Sequence, residues 1–189
     1  LNQNYRNTQE ILSAAWGVLQ TNGQIDVDAT FPAVEPSVAL RNGPKPIIHS
    51  TRSKTAAGDA TIKQLKPLLN SGYSPSDIAI LYRWISKKED DAFNALLSQL
   101  QELNIEYYWV TKNKDTKRDY DVQQPGIRIV TTLSSLGLEF KVVLLLWVEQ
   151  FWDCQGSDID KAALAQRQLY VAMTRAQDEL HLFTGGPAK

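Results

Sequence analysis

Val142-Val143-Leu144-Leu145-Leu146-Trp147-Val148 is apolar at every position. A strand covered on one face alternates apolar with polar residues, whereas a strand covered on both faces does not. The run is far shorter than the roughly 20 residues of a membrane span. It therefore predicts a central strand of a mainly parallel sheet. Downstream, Ala162, Ala165, Leu169, Ala172, Met173 and Ala176 share one helix face, and Leu180-His181-Leu182-Phe183 reads as the strand that closes the sheet. Upstream, Ile127 and Ile129 mark a strand, as do residues 105–110 and Ile78-Ala79-Ile80-Leu81-Tyr82. Between them, Phe93, Leu96, Leu97, Leu100 and Leu103 have the spacing of an amphipathic helix. Ala57, Ile62, Leu65, Leu68 and Leu69 line another helix, in which Pro67 predicts a kink or an early end. Pro46-Ile47-Ile48-His49-Ser50 reads as a short buried strand. Near the start, Asn7 and Glu10 have the spacing of an N-cap and capping box, ahead of a helix face of Ile11, Leu12, Ala15, Val18 and Leu19 that ends at Asn22-Gly23. Strands alternating with helices define an α/β domain.

Two stretches interrupt this pattern. Residues 24–46 are rich in proline and polar side chains and read as a loop. Residues 111–125 carry Lys112, Lys114, Asp115, Lys117, Arg118, Asp119 and Asp121 and read as a surface loop. The balance of 20 Lys+Arg against 21 Asp+Glu gives a net charge of −1, so any nucleic-acid contact must rest on a local patch. A single cysteine, Cys154, excludes an internal disulfide, and with two histidines, His49 and His181, no metal cluster is expected. These counts fit a reducing cytoplasm and no membrane span. The chain begins at Leu1 inside a motif and reads as an excised piece of a longer protein.

Three segments carry chemistry: Asn4-Tyr5-Arg6-Asn7, Thr131-Thr132-Leu133-Ser134-Ser135-Leu136-Gly137-Leu138-Glu139-Phe140, and Leu169-Tyr170-Val171-Ala172-Met173-Thr174-Arg175-Ala176. Taken singly, Arg175 would offset a helix dipole, Tyr5 would sit at a core edge, and Glu139 would be a solvated loop charge. No G-x-x-x-x-G-K-[ST] occurs, so no loop here can cradle phosphates with backbone N–H groups and a lysine.

Together, and in this order, the segments resemble nucleotide-site motifs of UvrD/Rep-type superfamily-one DNA helicases. The resemblance implies the second RecA-like motor domain: an α/β, mainly parallel sheet with helices on both faces. It would span residues 1–184, with residues 185–189 as a tail and the accessory insertion reduced to a loop near residues 111–126. It implies ATP with magnesium, bound jointly with a first RecA-like domain that supplies the phosphate loop. Arg175 and Arg6 would be the catalytic γ-phosphate contacts, Tyr5 would stack on adenine, and Glu139, beside Gly137, would hold the ribose. A planar guanidinium suits charge building on phosphoryl oxygens.

Asp77-Ile78-Ala79-Ile80-Leu81-Tyr82-Arg83 also resembles a helicase stretch. With it, the family likeness implies weak single-stranded DNA contacts at Arg83, Trp84, Thr131 and Ser134. Leu133 and Leu136 stand where the family has a histidine and a lysine, which removes polar groups and a charge from the strand-facing side. The other implied role is a non-catalytic RecA-like binding or regulatory module.

Overall fold

In the computed structural model, which describes residues 4–20, 33–118, 121, 124–152 and 159–186, the apolar run becomes β7 (Phe140–Leu146), whose residues 142–146 are completely buried. β7 lies between β4 (Ile78–Tyr82) and β8 (Ala176–Thr184) and is parallel to both. β6 (Ile127–Thr131) and β5 (Tyr107–Trp109) extend the sheet on one side, and β3 (Ile47–Ser50) extends it on the other, giving the order β3-β8-β7-β4-β6-β5. Every neighbouring pair is parallel.

Side-chain alternation splits the core into two layers. Val143 and Leu145, with Leu81 and Val130, pack under α1 (Gln9–Gln20) and α5 (Ile159–Met173). Val142, Leu144 and Leu146, with Ile80 and Ile129, pack under α2 (Lys54–Asn70) and α3 (Asp90–Glu102). A strand needed by both layers has no polar face, which explains the unbroken run. This is the α/β sheet with helices on both faces. Among the described residues no helix is long and apolar enough to cross a membrane.

The structure corrects several expectations. The segment at 180–183 does not close the sheet, because β8 is interior and β3 forms the edge. β3 is not buried either: Ile47 and Ile48 are 46% and 67% exposed, since only β8 covers that side. Asn4–Thr8 is a strand, β1, paired in parallel with β2 (Ala39–Arg41), a partner hidden inside the polar stretch read as loop. Asn7 is therefore not the cap. The Thr8 hydroxyl takes that place, accepting from the Ile11 N–H at 3.4 Å, and the Glu10 carboxylate accepts from the Gly43 N–H at 2.8 Å rather than closing a capping box. The expected end of α1 at Asn22-Gly23 lies outside the described residues.

Pro67 does not end α2, which runs to Asn70, and its carbonyl accepts from the Ser71 N–H at 2.9 Å. Nor is the polar stretch after β5 featureless. It contains the short α4 (Lys114–Arg118), held where the Tyr108 hydroxyl donates to the Thr116 carbonyl at 2.8 Å and the Thr116 hydroxyl donates to the Val110 carbonyl at 3.1 Å.

One connection positions the site. Thr131, the last residue of β6, is level with Tyr82 at the end of β4, whereas Val142 in β7 is level with Ile78 at its start. The chain from 132 to 139 must therefore run back along the sheet, from the carboxyl ends of the strands to their amino ends.

Candidate functional site

At the amino ends of β7 and β8 this return segment meets the turn after α5. The Phe140 N–H donates to the Arg175 carbonyl at 2.9 Å, fixing the two segments together. The N-terminal strand β1 joins them through Asn7, which is buried and whose amide donates to the carbonyls of Thr174 at 2.9 Å and Ala176 at 2.6 Å. Three segments far apart in sequence thus converge.

Their side chains face one cavity of about 370 Å³, lined by Arg6, Asn7, Leu12, Val34, Leu136, Glu139, Tyr170, Val171, Thr174 and Arg175. Arg6 Nη1 lies 3.0 Å from Glu139 Oε1. The other carboxylate oxygen of Glu139 accepts from the Gln177 amide at 3.1 Å. Arg6 is 73% exposed, so the pair adds little stability and serves instead to mark where the two side chains meet.

Arg175 is held more firmly. Its Nε donates to the Val171 carbonyl at 3.1 Å and its Nη1 to the Leu138 carbonyl at 3.2 Å, with a long contact of 3.5 Å from Nη2 to the Thr174 hydroxyl. Burial pulls the guanidinium below the usual arginine value; Glu139 and Tyr170 push it back up and Arg6 pulls it further down. It stays charged, since an arginine in a protein keeps its proton. Opposite it, the Tyr170 hydroxyl accepts from the Val34 N–H at 2.6 Å; burial lifts its pKa, against the pull of Val34 and Arg175. Two guanidinium groups beside one carboxylate suit a polyanion better than a neutral ligand. Gly137 completes the turn at φ +82°, a conformation few other residues adopt, although a side chain there would meet nothing within 4 Å. The Tyr5 side chain lies outside the described part of the structure.

Arg83, Trp84, Thr131 and Ser134 are not part of this cluster. Arg83, Trp84 and Thr131 lie at the opposite, carboxyl ends of β4 and β6, and Ser134 sits in the turn that follows, its N–H donating to Thr131 Oγ1 at 3.3 Å. Arg83 stacks under the Trp84 ring, 4.1 Å from its centroid, donates to Gln168 Oε1 at 2.9 Å and bonds the Gln150 carbonyl. Trp84 is 39% exposed.

A larger cavity of about 590 Å³ lies between α1 and α5 over β3, lined largely by apolar residues such as Ile48, Val148, Trp152 and Leu182. It contains none of the motif charges, so size alone does not pick out the site.

A family model of the UvrD-like helicase C-terminal domain matches residues 1–119, more than half of the chain. The chain belongs to that family. The UvrD-like domain is also 30% identical over 97 residues to a probable DNA helicase II homolog of Mycoplasma capricolum subsp. capricolum. That match takes in half of this chain and 13% of the relative's length. In fold it resembles the C-terminal domain of a possible DNA helicase from Lactobacillus plantarum WCFS1, with a TM-score of 0.63 at 20% identity, covering 97% of this chain and 88% of that one.

Sequence reasoning missed Asn7 as the clamp that brings Arg6 to Arg175. The signal was an asparagine directly after the Tyr5-Arg6 pair, but its spacing to Glu10 pointed to a cap instead.

Proposed function

We propose that this domain is the second motor domain of an ATP-dependent DNA helicase, completing an ATP site whose phosphate loop and magnesium ligands belong to the first RecA-like domain. The supporting observation is the convergence of Arg6, Glu139 and Arg175 on one cavity at the amino ends of β7 and β8. ATP with magnesium would supply the transferable phosphoryl group. Arg175, half-buried and fixed by two carbonyls, would present a preorganised cation to the γ-phosphate, and Arg6 would add a second from an exposed position. Glu139 would accept a ribose hydroxyl, exchanging Arg6 or Gln177 for it, and Tyr5 would stack on adenine. Arg83, Trp84, Thr131 and Ser134 would contact single-stranded DNA weakly, from the ends of β4 and β6 and the turn that follows.

The exposed leucines at 133 and 136 favour a second reading, a non-catalytic RecA-like module of regulatory role. ATP turnover separates the two. This chain alone should have none, whereas a chain joining both domains should hydrolyse ATP. Turnover by this chain alone, persisting in Arg175→Ala, would overturn the shared-site proposal; a joined chain with an intact phosphate loop and no turnover would favour the regulatory module.

A further inference from the structure

The return segment from 132 to 139 is tightly built, yet it presents two large apolar side chains to solvent. Thr132 is anchored to β4, its N–H donating to the Tyr82 carbonyl at 2.8 Å and its hydroxyl to the same oxygen at 3.2 Å. Ser135 is fully buried, its hydroxyl bonding the Thr132 carbonyl at 2.7 Å, and the Leu138 N–H bonds the Ser135 carbonyl at 2.9 Å. Between these anchors Leu133–Ser135 forms a 3₁₀ turn. Leu133 opens this turn and Leu136 follows directly after it, and they are 59% and 60% exposed.

Two leucines held in water by an anchored turn suit a contact with a partner. Leu136 also lines the cavity of Arg6, Glu139 and Arg175, so whatever closes that cavity meets it. A nucleic-acid strand offers phosphates, for which two leucines provide neither donor nor charge. We propose that Leu133 and Leu136 form an apolar contact with the first motor domain, made as it closes over the nucleotide, in place of a contact with DNA. This rests on the reading of the cavity as a nucleotide site shared with that domain.

The test uses the parent chain with both domains, a fluorophore on each, and a non-hydrolysable ATP analogue as the closing ligand. The double variant Leu133→Ser/Leu136→Ser should need about tenfold or more analogue for half-closure, as expected when two leucines are no longer taken out of water. Its affinity for a labelled single-stranded oligonucleotide should be unchanged at every salt concentration. Its melting temperature should hold, because both side chains are exposed. Unchanged closure would overturn the proposal, as would weakened oligonucleotide binding with closure intact. Arg175→Ala serves as the control. Normal closure in the serine pair beside lost hydrolysis in Arg175→Ala removes only the apolar contact. Impaired closure in the serine pair beside normal hydrolysis in Arg175→Ala keeps the contact and removes the role of Arg175 at the γ-phosphate. No closure in the unmodified chain would overturn both.

Discussion

Asn7→Ala would test whether the N-terminal strand is fixed to the rest of the site. Asn7 is 5% exposed, and its amide satisfies the carbonyls of Thr174 and Ala176, residues that are themselves 9% and 0% exposed. Removing it deletes two hydrogen bonds and leaves two buried acceptors short of a donor, each costing about 1–1.5 kcal/mol when the carbonyl keeps a second lone pair in use. The expected loss is about 2–3 kcal/mol, or roughly 5–10 °C in melting temperature for a chain of this size. Asn7→Asp has the same shape but puts an acceptor against two acceptors. Its carboxyl pKa should be raised in the fold, so its contribution to stability is fully present below the ordinary carboxylate range and is lost as pH rises through the folded value. Urea denaturation at pH 4.5 and 7.5 reads both effects. Asn7→Asp should lie closer to the unmodified chain at the lower pH. A loss under about 0.5 kcal/mol for Asn7→Ala at both values would show that the strand is not clamped and that Arg6 is not held beside Arg175 by this means.

Lys54 links two buried carboxylates, 2.9 Å from Glu89 and 3.4 Å from Glu149. Lys54→Met should cost about 3 kcal/mol, the low end of the range for breaking a buried pair because the lysine is a quarter exposed; a neutral result in urea melts would contradict this. Burial pushes the Glu89 carboxyl up, but Ser86 and Lys54 outweigh it and hold the group below its usual value, so its contribution is present above that value and fades on acidification beneath it. His49 Nε2 and His181 Nδ1 are 3.1 Å apart, and burial lowers both pKa values, helped at His49 by its neighbour. Their neutral forms favour the fold, so stability is present above pH 6.5 and should fall below it; His49→Gln should flatten that slope, and an unchanged slope would refute the assignment. Gly126→Ala should be far more damaging than Gly137→Ala in thermal melts. Both glycines have positive φ, but a side chain at 126 would sit 2.7 Å from the Glu106 backbone whereas one at 137 meets nothing.

The sheet was legible where burial leaves a pattern. The unbroken run of β7 and the helical spacing of α3 correctly gave an α/β sheet covered on both faces. Strand order left no such trace: residues 180–183 of β8 and 47–50 of β3 are similar short runs, and only their neighbours decide which is the edge. The β1–β2 pair was illegible because its second strand is three residues long, half-covered, and set among prolines. At the site, Arg6, Glu139 and Arg175 were picked out by the family likeness of the segments that carry them, since taken singly their residue types pointed to solvated charges. That they share a cavity could not, since Asn7 makes the connection through carbonyls 167 and 169 positions away. The leucines at 133 and 136 stood out as departures from a polar pattern, but their exposure depends on the buried anchors Thr132 and Ser135.

The most direct measurement is single-turnover ATP hydrolysis by the parent chain carrying Arg175→Ala, beside equilibrium binding of a non-hydrolysable ATP analogue. A cation acting mainly on the transition state should lower the rate by about 10³-fold or more while changing analogue affinity little. Arg175→Lys should recover only a small part of that loss, because an ammonium lacks the planar fork. A near-normal rate for Arg175→Ala would contradict the account and leave Arg175 as a charge that braces the turn between α5 and β8.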